Sequence, residues 1–559
     1  MSKIRWIVLA ALSAAACSST PKNEAPVATG PEQTPPAHGH HAEAGQPLPL
    51  FDGLSSYSHK ITTSDPEAQS YFDQGLMMAY AFNHAQAKRS FLEGAKRDPN
   101  CAMCYWGAAL VLGPNINAPM APEAESEALG YLAKAKAAVA TGTAAEKGYV
   151  NALAARYAEP AGADRAARDE TYAKAMRKFA SMNAQDPDAA ALAAEAMMDQ
   201  HPWNYWTKTG KAQPWTNAIV TTLETTLENF PDHAGTHHLY IHAMEASPFP
   251  EKAVASADRL KTLVPAAGHL VHMPGHIYIR VGRYQDAIDS NVAAIEADRH
   301  QAMQSPGIYD MMYKPHNHHF LWAAATLAGQ EELAGKAAIS VNEHFKTHKM
   351  PNDPTMSMMR QNYEQTPVFN DVRFGHWAAI LERPMPPAHD ELARAIHHYA
   401  RAVAMSKTGR APAAIEEIRG LDELRAKPEL QNGIFMNNKV ATLLEIASRV
   451  AKAERSAALT DYKSAIADLE KARALEDTLT YNEPADWHHP IRQILGRVYL
   501  DAKQPKAAER VYLEDLRLYP KNAWSMTGLM KAYEAQGLQQ KAADAKNQLG
   551  AIALPASSL

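Results

Sequence analysis

The chain has 559 residues. A single hydrophobic core stops growing at roughly 250–300 residues, so the chain either divides into domains or forms a repeat array. The net charge is -5, with acidic and basic residues mixed along the sequence, which excludes the basic footprint of a nucleic-acid-binding protein. Histidine is abundant, with 25 residues against three cysteines.

Residues 1–16 have the features of a secretory signal peptide. Lys3 and Arg5 precede a short apolar run, and small residues lead up to Cys17. A cysteine at this place resembles a lipoprotein signal, in which it becomes lipidated. Ala14 stands where such signals usually carry Leu, so ordinary cleavage after Ala16 is the alternative. We expect an exported protein, anchored by a lipid at Cys17 in the bacterial cell envelope, at the outer membrane and facing the periplasm or the exterior.

Residues 17–48 are rich in Pro, Ala, Thr and Glu and show no apolar periodicity, which predicts a disordered tether. The tether contains a short histidine tract at residues 38–41, which is either a weak metal-binding element or a chance cluster. No later segment has the roughly 18 uncharged apolar residues of a membrane span. The lipid is therefore the expected contact with the membrane.

From about residue 65 the chain consists of Ala-rich amphipathic segments, broken at Pro, Gly and Asp, which predict helices. Pro231 and Pro265 are 34 residues apart. Small and aromatic residues recur in the same register in four places, at Gly75 and Ala87, at Gly275, Tyr278, Gly282 and Ala287, at Gly496, Tyr499 and Ala508, and at Tyr533, Gly537 and Ala542. This period and these positions resemble the tetratricopeptide repeat (TPR) family.

The resemblance implies an all-α fold, a right-handed α-solenoid of stacked TPR-like helix pairs, because one pair cannot bury its own apolar face. We expect TPR-like repeats over residues 49–187, central His-rich repeats over 188–345, irregular helical repeats over 346–480 and C-terminal repeats over 481–559. Residues 267–276, 316–321 and 520–524 also resemble stretches of large exported bacterial TPR lipoproteins. That resemblance supports the architecture and supplies no reaction.

Histidines recur at the positions that line the concave groove of a TPR array. These are His238, His242, His269, His272, His276, His316 and His319, with Glu245 one turn after His242. Histidines four residues apart share one face of a helix, as in two-ligand metal motifs. Packed helices lie about 8–10 Å apart, so histidines on adjacent helices can meet at one ion.

The pattern therefore predicts a transition-metal site, with Zn, Cu or Fe as the ion. The main ligand candidates are His238, His242, His272 and His276, with Glu245 as a ligand or a catalytic base. His269 and His316 are secondary candidates. His319 lies two repeats from His238, about 20 Å by the same helix spacing, so it belongs to a second site or caps the groove.

Three functions remain open on this pattern. The first is a metal-binding solenoid of the cell envelope. The second is a TPR scaffold without metal, whose groove histidines contact a protein or peptide partner or are structural. The third is a metal-dependent enzyme in which Glu245 acts on a metal-bound water or substrate.

Cys101 and Cys104 are the two thiols left if Cys17 carries lipid. In an oxidising compartment a local disulfide is the expected state. Their position at the start of a predicted helix lowers thiol pKa values and leaves metal or redox chemistry as the alternative. No His follows Cys104, so the motif is not a c-type haem attachment site.

Overall fold

The computed structural model describes residues 48–54, 56–157, 164–300, 309–348, 354–550, 552, 554 and 555. The predicted signal peptide, the lipidation site Cys17 and the histidine tract at residues 38–41 lie outside the described residues.

Each N-terminal helix packs against the next one in the chain. They are α1 (Pro66–Tyr80), α2 (His84–Arg97), α3 (Ala102–Leu110), α4 (Ala124–Ala138), α5 (Ala144–Leu153), α6 (Arg165–Met182) and α7 (Pro187–Met198). A single 3₁₀ turn, Val139–Thr141, extends α4. Asp65 caps α1 and Asp186 caps α7, and in both helices a proline occupies the first turn, where its missing N–H costs nothing.

The central helices carry the histidine pattern. They are α8 (Thr216–Asn229), α9 (Ala234–Glu245), α10 (Val254–Leu263), α11 (Gly268–His272), α12 (Pro274–Arg280), α13 (Tyr284–His300), α14 (Lys314–Leu327) and α15 (Glu331–Thr347). A 3₁₀ turn precedes α10 at Pro250–Ala253, and a π-helical turn precedes α14 at Tyr309–Tyr313. Pro274 divides what would be one helix into α11 and α12, because proline lacks the N–H that continues the helical ladder.

The C-terminal helices complete the stack. They are α16 (Pro354–Tyr363), α17 (Thr366–Phe374), α18 (Trp377–Glu382), α19 (Glu391–Lys407), α20 (Ala414–Arg425), α21 (Pro428–Asn432), α22 (Val440–Ala458), α23 (Tyr462–Glu476), α24 (Ile491–Asp501), α25 (Pro505–Leu518), α26 (Ala523–Ala535) and α27 (Gln539–Leu549). One hairpin, β1 (Ile434–Phe435) with β2 (Asn438–Lys439), pairs antiparallel before α22. Within the described ranges, no helix has the length and apolar character needed to cross a membrane.

Small residues allow the paired helices to approach closely. A Cβ on Gly75 of α1 would lie 2.6 Å from the Phe91 ring on α2, and one on Gly496 of α24 would overlap the Tyr512 ring on α25. Each repeat has a second position at which its two helices come close, and the alanines at this position are fully buried. They are Ala87, Ala253, Ala287, Ala334 and Ala508. These are the positions at which the repeat pattern expects small residues. The predicted α-solenoid of TPR-like helix pairs is therefore confirmed.

The solenoid curves until distant repeats touch. The ring of Phe82, in the turn after α1, lies 4.5 Å from the ring of His238 on α9, centroid to centroid. From the other end, Trp524 of α26 donates its indole N–H to the carbonyl of Thr326 on α14 at 2.7 Å. The central helices are therefore enclosed by both ends of the stack.

A buried carboxylate joins the first repeat to the central repeats. Asp188 accepts hydrogen bonds from the hydroxyls of Tyr57 and Tyr80, both at 2.5 Å. It also contacts His59 Nδ1 at 2.7 Å and His233 Nε2 at 3.0 Å. Burial alone would raise the pKa of Asp188, but the hydrogen bonds from His233 and His59 outweigh burial and hold it well below its usual range. His233 in turn caps α9, so this network fixes the start of the first histidine-bearing helix.

We predict that Asp188→Asn lowers the free energy of unfolding by about 3–5 kcal/mol at neutral pH, because it disrupts a buried charged network. A carboxylate with a depressed pKa in the folded state contributes stability above its unfolded pKa of about 3.9, and this contribution is lost as pH falls. Urea unfolding at several pH values should therefore show a difference that shrinks in acid. Asp232→Asn, at an exposed ion pair with Arg259, is the control and should leave the free energy of unfolding nearly unchanged. An equal effect of both substitutions would contradict the role of Asp188.

Cys101 and Cys104 are joined by a disulfide at the start of α3. Both residues are fully buried, and Cys101 Sγ caps α3 by accepting from the backbone N–H of Cys104. The sulfur of Cys104 lies against Gly94 of α2, where an added Cβ would be 3.0 Å away. The bond therefore sits inside a helix–helix contact.

We expect no reactive thiol at Cys101 or Cys104 in the unfolded, unreduced chain and two after reduction. Replacing both by Ser should lower the free energy of unfolding by about 2 kcal/mol, the chain-entropy value for so short a loop. Thiol titration in denaturant with and without reductant, followed by denaturant unfolding of the double variant, measures both quantities. Two free thiols before reduction would reject the disulfide.

Candidate metal centre

Inner helices of three successive repeats carry the seven predicted histidines. Helix α9 carries His238 and His242, the α11–α12 pair carries His269, His272 and His276, and α14 carries His316 and His319. Every residue of α9 is buried, so its histidines face protein on all sides. Helix α9 packs against α12, and the His242 and His276 rings lie 6.1 Å apart, centroid to centroid.

The first histidine group consists of His238, His242 and His269. One ring nitrogen from each lies within 4.8 Å of the others. His238 Nε2 and His269 Nε2 are 3.2 Å apart. His242 Nε2 is buried and has no hydrogen-bond partner among the described residues. Three imidazole nitrogens therefore converge on one point from two helices.

The second histidine group consists of His272, His276 and His316, again with one ring nitrogen from each within 4.8 Å of the others. His272 Nε2 and His276 Nε2 are 2.8 Å apart. The His316 ring lies 4.7 Å from the His272 ring and 5.8 Å from the His276 ring, centroid to centroid. This group joins the α11–α12 pair to α14.

Glu245 connects the two groups. Its Oε1 accepts from His242 Nδ1 at 2.7 Å, and its Oε2 lies 2.6 Å from His276 Nδ1. The Arg280 guanidinium donates to the backbone carbonyl of Glu245. Burial would raise the pKa of Glu245, but His276 and His242 together hold it well below its usual range. Glu245 is therefore a charged carboxylate behind one histidine of each group.

Asn291 orients His272. Its amide nitrogen donates to the carbonyl of Ala287 at 2.8 Å, which leaves Oδ1 to accept from His272 Nδ1 at 2.7 Å. A Cβ at position 275 would lie 2.9 Å from the same amide nitrogen, so Gly275 leaves the space that Asn291 occupies. The small residue of the repeat signature thus has a direct role in building the second group.

These partners determine the ring tautomers of the second group. His272 Nδ1 faces the oxygen of Asn291, and His276 Nδ1 faces the carboxylate of Glu245. Neutral rings with the hydrogen on Nδ1 would each present a lone pair at Nε2, whereas a protonated His276, whose pKa is raised to about 9, donates from Nε2 to His272 Nε2. Two lone pairs 2.8 Å apart repel unless a cation lies between them. The arrangement requires either a proton or a metal ion at this point.

Burial sets the charge of most of the histidines. It lowers the pKa of His238, His269, His272 and His316 well below the usual range. For His276 burial is outweighed by Glu245, and the pKa is raised to about 9. The first four are therefore neutral at physiological pH, which is the form that binds metal.

Aromatic side chains pack against the two histidine groups. Trp203 meets His242 edge-on with centroids 5.3 Å apart, and Phe320 lies 4.8–5.0 Å from His276 and His272. Phe82 and Trp203 both have positive φ, +55° and +61°. A bulky residue in this region is strained, and such strain concentrates at functional sites.

A loop from the far end of the chain reaches the same place. Tyr481 donates to Glu483 at 2.5 Å and to Glu245 at 3.3 Å. Glu483 Oε2 lies 3.5 Å from His276 Nδ1, and burial raises the pKa of Glu483. A second carboxylate therefore stands beside the one that links the groups.

The structure groups the predicted histidines differently from the single site that the sequence pattern predicts. His238, His242, His272 and His276 are brought together, but they are split between two groups instead of sharing one. His269 and His316, the secondary candidates, complete the groups. His319 belongs to neither group, because its ring packs on Trp322 and Tyr363 with centroids 5.2 and 4.9 Å away.

No spacing in the sequence signals Asn291, Tyr481 or Glu483. Glu483 in particular reaches the centre only because the solenoid curves, and a repeat register contains no information on that curvature.

A further cluster, His59 with Asp186 and Asp188, also has ligand atoms at distances that would suit a metal ion. Its Asp188 oxygens already receive hydrogen bonds from tyrosines and histidines, so that cluster is satisfied by protein.

No protein-family model matches the chain, and neither does any curated protein. Among solved structures the chain is similar to the human IFIT1 dimer with PPP-AAAA, at 12% identity over 85% of this chain and 88% of that chain, with a TM-score of 0.31. It is also similar to yeast Tom70, at 12% identity over 85% and 90% of the chains and a TM-score of 0.25. The P58(IPK) TPR domain gives 14% identity, 78% and 98% coverage and a TM-score of 0.21. Likeness at these scores carries no functional argument.

Proposed function

We propose that this protein binds two transition-metal ions, one in each histidine group. The observation that carries the proposal is the facing pair of nitrogens in the second group, His272 Nε2 and His276 Nε2, 2.8 Å apart. Their other ring nitrogens both face acceptors, so a proton or a metal ion must lie between the two Nε2 atoms. The first group repeats the convergence on α9 and α11, with 3.2 Å between His238 Nε2 and His269 Nε2.

These distances fit a metal with imidazole ligands. With metal–nitrogen bonds of about 2.0–2.1 Å, two ligands lie about 3.3 Å apart in a tetrahedron and about 2.9 Å apart at a right angle. The 3.2 Å and 2.8 Å separations therefore allow both pairs to bind an ion with little movement. Three imidazole ligands suit Zn, Cu or Fe, and His276 would give up its proton to the metal in the second group. Three protein ligands leave a coordination position open for water or substrate.

Glu245 fits the role of an orienting residue better than that of a base. Both of its oxygens face histidine Nδ1 atoms, one in each group. Carboxylates behind metal-binding histidines fix the ring orientation and raise the basicity of the ligating nitrogen. This engagement supports metal binding over the alternative in which Glu245 acts directly on a bound water.

Burial argues against a peptide groove at these histidines. His238 and His272 are fully buried, and His242, His269 and His276 are at most 3% exposed. A peptide lying in the groove could not reach these nitrogens without opening the repeats. The proposal also includes export and lipid anchoring at Cys17, so the protein would be a metal-binding TPR protein of the cell envelope. A protein partner would bind its outer surfaces.

We expect the tag-free chain from residue 18, with the histidines at 38, 40 and 41 changed to Ala, to hold about two equivalents of one transition metal after dialysis. His269→Ala should remove one equivalent and His316→Ala the other, because each completes a different group. Inductively coupled plasma mass spectrometry, with circular dichroism as a check on folding, measures this.

His397→Ala is the matched control for those substitutions. His397 is also buried, but it contacts Gln365 Oε1 at 2.8 Å and lies in neither histidine group. Its replacement should leave the metal content unchanged. Absence of metal after reconstitution with Zn, Cu and Fe would mean that a proton occupies the His272–His276 pair and would overturn the proposal.

Glu245→Gln should keep the stoichiometry but weaken metal affinity about 10–100-fold, the usual cost of losing a partner behind a histidine ligand. Competition with a chromophoric chelator measures the affinity. Asp371→Asn is the control, because Asp371 contacts His376 Nδ1 at 3.0 Å outside both groups. If Glu245→Gln abolished binding while the fold persisted, Glu245 would be a ligand and not an orienting residue.

A further inference from the structure

The two histidine groups are direct neighbours in the buried interior. The rings of His242 and His276, one from each group, have centroids 6.1 Å apart. The rings of His269 and His272, again one from each group, have centroids 5.9 Å apart. His269 and His272 both belong to the short helix α11, so the backbone of one helix fixes the spacing between the groups.

This spacing limits how far apart two bound ions can lie. With a metal–nitrogen bond of about 2.0–2.1 Å, an ion lies about 3 Å from the centroid of a ring that binds it. His269 would bind one ion and His272 the other, and their centroids are 5.9 Å apart. The two ions would therefore be at most about 12 Å from each other.

Little negative charge is available to balance two ions. Among the described residues, the carboxylates that pair with these rings are Glu245, at 2.6–2.7 Å, and Glu483, at 3.5 Å from His276 Nδ1. Arg280 brings a positive charge to the same place, since its guanidinium lies 5.4 Å from the Tyr481 ring centroid and donates to the Glu245 carbonyl. Two divalent ions would therefore leave this buried region with an excess of positive charge.

Glu245 is shared between the two groups. Its Oε1 accepts from His242 Nδ1, and its Oε2 lies beside His276 Nδ1. A carboxylate behind a metal-bound histidine stabilises that ring and raises the basicity of the ligating nitrogen. With both groups filled, one carboxylate charge has to do this for two rings, so each ion receives less support than it would alone.

On the basis of the metal binding proposed above, we propose that the two sites are anticooperative. An ion in one histidine group weakens binding in the other, so one ion is held firmly and the second is released more readily. Even at the dielectric constant of bulk water, two divalent ions about 12 Å apart disfavour joint binding about tenfold. Burial lowers the effective dielectric constant and reduces screening by salt, which makes the repulsion in the protein larger. The second ion is therefore the one available for transfer to an acceptor.

The test is a Zn²⁺ titration of the tag-free chain from residue 18 with the tract histidines changed to Ala, in competition with a chromophoric chelator. The parent chain gives two stepwise dissociation constants. His316→Ala and His269→Ala each leave one complete group, so each gives one single-site constant. If the sites are independent, the product of the stepwise constants equals the product of the single-site constants. We expect the parent product to be larger by about tenfold or more.

His397→Ala is the matched control for this comparison, because His397 is buried and contacts Gln365 outside both groups. It should reproduce both stepwise constants of the parent chain. Circular dichroism of every variant checks that the single-site constants come from folded protein.

Cu²⁺ gives a second measurement, made on the parent chain alone. Two Cu²⁺ ions within about 12 Å of each other should broaden or split the electron paramagnetic resonance spectrum by dipolar coupling at two equivalents. The spectrum at a small fraction of one equivalent should be that of an isolated ion.

The outcomes separate this proposal from the one on which it rests. Absence of bound metal in every chain would overturn the metal binding itself. Two bound Zn²⁺ ions whose stepwise product is equal to or below the single-site product would leave the metal binding in place and overturn the anticooperativity. An isolated-ion spectrum at two bound equivalents of Cu²⁺ would overturn it as well, because the ions would then be too far apart.

Discussion

The close packing of successive inner helices is the constraint on which the centre depends. Helices that touch through glycine and alanine bring the histidines of neighbouring repeats within reach of one another. Gly275 shows the effect at one residue, since the missing side chain admits Asn291, and Asn291 orients His272. The same packing that buries the apolar core therefore also assembles the histidines, and the fold and the candidate site have one physical origin.

Buried polar clusters among the described residues differ in how well they are satisfied. Asp188 receives hydrogen bonds from two tyrosines and contacts two histidines, so its network is complete and acts as a structural link. The histidine groups leave ring nitrogens without hydrogen-bond partners. Folding tolerates such groups only at a cost in free energy. That contrast separates the Asp188 network from the histidine groups, for which we propose metal binding.

Repeat spacing was enough to predict the fold and the helices that carry the histidines, because the period depends only on packing between adjacent repeats. The start of α9 at Ala234 and of α11 at Gly268 follow directly from it. It was not enough to divide the histidines into two groups, since that depends on ring directions around the break at Pro274. Glu483 was beyond prediction, because its approach to His276 depends on curvature summed over many repeats.

The walls of the centre come from both extremes of the chain, Phe82 near its beginning and Tyr481 near its end. The histidines of both groups all lie before residue 320, whereas Tyr481 and Glu483 come from the loop that precedes α24. The ligands proposed for the metal and the second carboxylate beside Glu245 are therefore contributed by separate stretches of the chain. The surroundings of Glu245 can change by substitution in that loop while every histidine of the two groups keeps its place in the repeats.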